Sequence, residues 1–355
     1  MTGKTLHGVK GIIDLRSDTV TRPGREMLSF MMNAPVGDMV LGDDPSVNEL
    51  EDYAARLFGM DGAIFCPSGT MTNQIAVRVH TSPGDEIVCS SLAHVYLFEG
   101  GGMACNSGVQ VSLINTPDGT FTSEQVEACI NPDDVHRART RLVSVENTVN
   151  RGAGACWKFD EIKRIGELCR AKELKYHLDG ARLFNAITVT GEKPEDYGRL
   201  FDSISICLSK GLGAPVGSVL IGSGEFIRLA KRVRKVFGGY MRQAGYIAAA
   251  GLYALKNNTR RLSEDHLHAK KLGDALEKSG WVSKVYPVVT NIVIFRTTDT
   301  VTASEASARL RQAGILANPV GNHEIRMVTH LDVTPAMVDH VSNILPTLFD
   351  SKCSG

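Results

Sequence analysis

Two short stretches hold residues whose types and spacing could do chemistry. Asp179, in His177-Leu178-Asp179-Gly180-Ala181-Arg182, follows the strand-like run Leu174–Leu178. Lys210, in Ser209-Lys210-Gly211-Leu212-Gly213, follows a second such run, Ile204–Leu208. Open α/β sheets bind ligands just beyond the carboxyl ends of their strands, so the two runs deliver a carboxylate and an amine to one edge. Pyridoxal phosphate calls for that pair. Its aldehyde carbon needs an amine, and its ring nitrogen needs a carboxylate so that the pyridinium can draw electrons from a substrate. Taken singly, each residue has a plainer role, as a turn-forming aspartate and a solvated lysine. Only the combination points to the cofactor.

Other residues fit the same reading. Pro67-Ser68-Gly69-Thr70 follows the strand-like Gly62–Cys66 and opens a helical stretch. A Ser-Gly-Thr turn at a helix N-terminus offers backbone N–H groups and hydroxyls to a phosphate, although alone it reads equally as an N-cap. His94 comes soon after the run Glu86–Ser90; an imidazole there could stack on a cofactor ring, act as acid or base, or be structural. Arg182 shares the loop of Asp179, and Arg326 lies between Ile325, Met327 and Val328. A guanidinium holds a carboxylate with two parallel hydrogen bonds, and an arginine inside a strand needs a carboxylate partner, ligand or structural. Gly211, Gly213 and Gly217 have the wrong spacing and position for a dinucleotide fingerprint.

These residues are positioned by an alternating pattern of strands and helices, which predicts an α/β domain with a largely parallel sheet. Its strands are expected at Gly62–Cys66, Glu86–Ser90, Val109–Ile114, Leu142–Glu146, Leu174–Leu178, Ile204–Leu208 and Ser218–Ile221. A helix is expected at Asp160–Lys172 with Asp160 as N-cap, another at Met241–Leu255, and an irregular arm at Arg22–Pro45. After Asn257 a smaller α+β unit begins: helix Leu262–Lys278, strand Thr290–Phe295, helix Ser304–Ala313, strands Ile315–Val320 and Ile325–Thr329, and a helix opening at Pro335. The expected division is residues 1–257, arm included, and 258–355. Such a chain, 355 residues with 43% hydrophobic and 22% charged, is an ordinary globular one. Its formal net charge of zero leaves no basic excess for nucleic-acid phosphates. No run is long enough to cross a bilayer, the N-terminus lacks a secretory apolar core, and the eight cysteines are scattered without a C-x-x-C pair. A cytoplasmic enzyme without a metal is the expectation.

With these residues in place, the chain resembles the low-specificity L-threonine aldolase family, which has the type I fold of pyridoxal-phosphate-dependent transferases. The blocks that carry the resemblance, in the family's order, are Asp14–Thr21, Gly42–Glu51, Pro67–Asn73, His177–Arg182, Ser209–Gly217, Gly238–Gly245 and Ile325–His330. The resemblance implies a large domain with a mostly parallel seven-stranded sheet, a small C-terminal domain and retro-aldol cleavage of threonine or allo-threonine to glycine and acetaldehyde. That makes the expected enzyme a carbon–carbon lyase of threonine catabolism and glycine biosynthesis. The implied roles are Lys210 on the cofactor aldehyde, Asp179 on the ring nitrogen, Ser68, Gly69 and Thr70 on the phosphate, and His94 stacked on the ring. Ser17, Arg182 and Arg326 would bind the substrate carboxylate. Lys235 and Arg242 would lie near the phosphate, reaching it from a partner subunit in a homodimer or homotetramer. Phe98 would line the side-chain pocket. Val149 stands where many members have a histidine thought to touch the substrate hydroxyl. A racemase or β-eliminating lyase uses the same lysine and aspartate, and a non-catalytic scaffold is the reading from another class.

Overall fold

The structure, a computed structural model, describes residues 11–349. Its strands in chain order are β1 (Ile13–Asp14), β2 (Gly62–Cys66), β3 (Glu86–Ser90), β4 (Gln110–Ile114), β5 (Thr140–Glu146), β6 (Lys175–Asp179), β7 (Ser203–Cys207), β8 (Ser218–Gly222), β9 (Val282–Val285), β10 (Ile292–Thr297), β11 (Ile315–Leu316), β12 (Asn318–Pro319) and β13 (Glu324–Val328). The chain divides into two units, Pro23–Thr259 and a smaller one that joins the described residues up to Arg22 with those from Arg260 onward.

The larger unit is built on a seven-stranded sheet in the order β2-β8-β7-β6-β5-β3-β4. Strand β8 runs against both neighbours, and the other pairs are parallel. The carboxyl ends of β2, β3, β5, β6 and β7 therefore share one edge. The seven strands are those read from the sequence, displaced by at most two residues. They are legible because strands covered on both faces read as short, nearly continuous apolar runs; every residue of β3, β7 and β8 is buried.

Three helices precede or follow β2. Helix α1 (Arg25–Met32) lies inside the stretch expected to be an irregular arm. It escapes a periodicity reading because it buries only Met27 and exposes Leu28, Phe30 and Met32, so no apolar stripe marks a core face. Helix α2 (Pro45–Phe58) starts where Asp44 accepts a hydrogen bond from Val47 N at 3.1 Å. It stops at Gly59, whose φ of +62° is the left-handed cap glycine permits. Helix α3 (Gly69–His80) is capped by Ser68, whose hydroxyl accepts from Met71 N at 3.2 Å. Two expected boundaries are corrected. The helix assigned to Asp160 as N-cap runs Phe159–Ala171 with Lys158 at the cap, placing Asp160 in its acidic first turn. The helix expected from Met241 runs Gly245–Asn257.

The smaller unit holds an antiparallel sheet in the order β12-β13-β10-β9 and a parallel pair, β1 with β11. Its N-terminal strand belongs here and not with the arm of the larger domain, where the sequence reading puts it, while the break expected after residue 257 falls after Thr259. Ile13 and Leu15, 2% and 0% exposed, belong to the core that contains Trp281, Phe295 and Met327. Ile13 N donates to Gly314 O at 2.9 Å, and Leu15 O accepts from Val328 N at 2.8 Å. The run Ile315–Val320, read as one strand, changes partner midway, β11 pairing with β1 and β12 with β13. Pro319 lacks an N–H group, and it sits where the sheet asks for none, on an edge strand.

Candidate active site

Asp179 ends β6 at 3% exposure. Its Oδ2 accepts from Asn73 Nδ2 at 2.8 Å and its Oδ1 from Ala181 N at 3.1 Å. Parallel pairing sets Glu146, the last residue of β5, beside it. Glu146 is also buried; its oxygens accept from His94 N at 2.9 Å and Asn150 N at 3.0 Å. Burial first, then the neighbouring Asp179 charge, pushes the Glu146 carboxyl up to about 7.

His94 opens a short helix just past β3. Its Nδ1 lies 3.0 Å from Oε1 of the buried Glu99, a contact that puts the ring proton on Nδ1 and turns Nε2 to other tasks. The ligating atoms of His94, Glu99 and Asp179 all lie within 4.8 Å of one another. Burial lowers the His94 pKa. The Glu99 hydrogen bond and the Asp179 and Glu99 charges outweigh it and hold the imidazole above its ordinary value, against a smaller opposing effect of Lys210. Parallel pairing of β6 with β7 sets Lys210, three residues past the end of β7, at the edge where Asp179 ends β6. The lysine is half-buried in the turn after β7, where its carbonyl accepts from Gly213 N at 2.8 Å.

The first turn of α3 faces the same edge from β2. With Met71 N taken by the Ser68 hydroxyl and Thr72 N by the Ser68 carbonyl, the Gly69 and Thr70 N–H groups are the ones the helix itself cannot satisfy. A Cβ at Gly69 would come within 2.6 Å of Cys207 Sγ, so only glycine lets this helix end approach β7 so closely. Arg182, 6% exposed, follows Asp179 in the same loop. The larger unit thus brings together Lys210, Asp179, His94, Arg182 and the Ser68-Gly69-Thr70 turn. A buried carboxylate, a half-buried amine, a flat imidazole and an anion-binding helix end are the groups that pyridoxal phosphate asks for.

Other expected residues have different surroundings. Arg242 is exposed and pairs with Asp38 at 2.8 Å; Lys235 is exposed with Nζ 5.4 Å from the Tyr240 ring centroid. The buried base of the helix Gly224–Val236, which carries Lys235, is instead Arg234, which pairs with Glu51 at 3.1 Å and donates to Phe65 O at 2.8 Å. Phe98 is 51% exposed, its ring centroid 5.6 Å from that of His94. Val149 is 1% exposed and packs on Gly119, where an added Cβ would meet its Cγ1 at 2.6 Å. In the smaller unit, the Ser17 hydroxyl accepts from Thr19 N at 3.2 Å, and Arg326 Nη2 donates to Arg16 O at 3.2 Å. Residues that sequence reading did not single out are Asn73, Glu99, Glu146 and His177. A signal for the first existed: Asn73 and Gln74 are consecutive amides directly ahead of the apolar run Ile75–Val77.

Comparison with known proteins agrees with this geometry. The fold matches the solved threonine aldolase of Leishmania major with a TM-score of 0.82 at 21% identity, covering 95% of this chain and 99% of that one. It also matches the serine palmitoyltransferase of Sphingomonas wittichii, with a TM-score of 0.76 at 16% identity over 98% and 89%. Sheet order and matches together give this chain the fold of these enzymes. Residues 14–300 match the family described as β-eliminating lyase. Over 333 residues the chain is 45% identical to the low specificity L-threonine aldolase of Escherichia coli O157:H7, covering 93% of this chain and 97% of that one. Over 346 residues it is 39% identical to the probable low-specificity L-threonine aldolase 2 of Arabidopsis thaliana, at 96% and 98% coverage. This chain belongs to the low-specificity L-threonine aldolase family of β-eliminating lyases.

Proposed function

We propose that the enzyme cleaves L-threonine and L-allo-threonine to glycine and acetaldehyde by a retro-aldol reaction. The observation that carries the reading is the convergence of Asp179, His94 and Lys210 on one sheet edge, in a chain whose relatives bear that activity in their names. Bound pyridoxal phosphate supplies the sink for the electron pair released when the Cα–Cβ bond breaks. Lys210 would hold the cofactor at its aldehyde carbon. Asp179 pairs with the ring nitrogen and keeps it protonated, as a buried carboxylate beside a cation does. Ser68, Gly69 and Thr70 bind the phosphate. His94 stacks on the ring, and its Nε2 takes the proton of the substrate β-hydroxyl. Arg182, with Ser17 and Arg326 on family grounds, binds the substrate carboxylate. The packed side chain of Val149 leaves the hydroxyl proton to His94, directly or through a water. Phe98, exposed beside His94, favours an apolar β-substituent.

The deciding assay supplies L-threonine, L-allo-threonine and a β-aryl serine side by side and measures glycine and aldehyde. Equal amounts of the two products are expected. Racemised substrate would instead make the enzyme a racemase, and ammonia with a keto acid would make it a β-eliminating lyase.

The proton-accepting role of His94 fixes the sign of the pH dependence. Only the neutral imidazole accepts a proton at Nε2, so kcat/KM should rise with pH through a value above the ordinary 6.5 of histidine. The groups facing the ring are Glu99 and Asp179, which raise its pKa, and Lys210, which lowers it; Glu146 meets its backbone. Glu99→Gln removes the negative charge facing Nδ1 and should move this acid limb to lower pH. A limb that stays in place in Glu99→Gln would assign it to another group, with Glu146 the first to test.

For Lys235 and Arg242 we propose the phosphate of a partner subunit, in a homodimer or homotetramer whose order light scattering would read. A cytoplasmic setting is supported by the described cysteines, which are all free, and no described helix is long and apolar enough to cross a membrane.

A further inference from the structure

We propose that Asn73 is a positioning residue whose amide holds two buried carboxylates of the site, Asp179 and Glu99, in place by donating one hydrogen to each. Its Nδ2 lies 2.8 Å from Asp179 Oδ2 and 2.8 Å from Glu99 Oε1, and it is 2% exposed. An amide nitrogen has two hydrogens, and here each goes to a different carboxylate. Without this shared donor, an oxygen of each buried carboxylate would lose a hydrogen-bond partner, a costly loss for a buried polar group. The amide stands where a cation would, but it cannot leave or exchange.

The orientation of the amide is fixed by what lies behind it. Asn73 Oδ1 is 3.2 Å from His177 Nε2, and His177 Nδ1 is 2.8 Å from Ser203 Oγ. Ser203 Oγ is in turn 2.8 Å from His80 Nε2. A flipped amide would set its oxygen against two carboxylates, so one assignment satisfies every contact. His80 Nε2–H donates to Ser203, the Ser203 hydroxyl to His177 Nδ1, His177 Nε2–H to Asn73 Oδ1, and Asn73 to both acids. Every donor in this chain points toward the carboxylates. Both histidines are held neutral by burial, His177 down to about 4, as the chain requires. His177 and Asp179 lie two residues apart on β6 and so on one face of the sheet, the face that α3 covers. The strand thus holds the acid and aims the amide with the same periodicity.

The proposal rests on the pairing of Asp179 with the ring nitrogen, and the experiment separates the two. The holoenzyme is loaded with pyridoxal phosphate labelled with ¹⁵N in the ring. The nitrogen shift is then read for the wild type, Asn73→Asp and Asn73→Ala, alongside cofactor affinity and thermal melting. Asn73→Asp keeps the shape and the acceptor for His177 but loses the two N–H donors. We expect a pyridinium shift in the wild type. Both variants should move toward the neutral-pyridine range, with a cofactor Kd raised about tenfold or more, as loss of a hydrogen bond to a charged group requires. Should Asn73→Ala fail to fold, Asn73→Asp alone decides. A pyridinium shift and native affinity in Asn73→Asp would overturn the role of Asn73. An unprotonated nitrogen in the wild type would instead overturn the pairing with Asp179.

Discussion

Lys210→Ala should take up pyridoxal phosphate without a covalent link and lose at least about a thousandfold in turnover, the scale on which a reacting side chain matters. The direct measurement is borohydride reduction followed by peptide mass spectrometry. Wild-type protein should carry a reduced pyridoxyl group on the peptide containing Lys210, and the variant none. The turn that holds this lysine is tied by its own backbone, through Lys210 O to Gly213 N and Leu208 N to Gly217 O, so removal of the side chain leaves the loop intact. A pyridoxyl group trapped on another lysine of the wild-type enzyme would contradict the assignment.

Asp179→Ala comes next in size. The carboxylate is buried and accepts from Asn73 and Ala181, so its deletion removes the group that keeps the ring nitrogen protonated and leaves those two N–H donors without their acceptor. Breaking a buried charge pair by removing one partner costs about 3–5 kcal/mol. That corresponds to roughly 200- to 5,000-fold in rate, with some cofactor retained through the phosphate turn and Lys210. Asp179→Glu should recover part of the loss, since it restores the charge at a displaced position. Near-normal kcat in Asp179→Ala would show that the ring nitrogen needs no acid partner here.

Much of this was legible in the residues, for a physical reason. Strands such as Ile204–Leu208 and Glu86–Ser90 announce themselves because both faces are covered, and the groups that follow them are delivered to one edge by parallel pairing alone. Lys210, Asp179 and His94 needed no side-chain geometry to be found. Asn73, Glu99, Glu146 and His177 were not legible, because their role lies in contacts between elements far apart in the chain. Asn73 meets Asp179 106 residues away, and no local pattern encodes that. Helix α1 was missed for the opposite reason, since its apolar residues are exposed and mimic no core-facing stripe. Val149 was noticed as a missing histidine, but its packing on Gly119 could be seen only in three dimensions.

The pairing of β1 with β11 bears on how the chain acquires its structure during synthesis. Ile13 waits some three hundred residues for its partner at Ile315. A ribosome therefore releases the middle of the chain, with its mostly parallel sheet, before the two ends can meet. The smaller unit is completed last, at the cost of closing a very long loop. Loop-closure entropy grows only slowly with length, so this order affects the rate of assembly more than the final stability. Cutting the chain after Arg22 should thus leave the Pro23–Thr259 unit with its own core, while the remaining C-terminal part would be left with an open edge at β11 and two apolar vacancies where Ile13 and Leu15 belong.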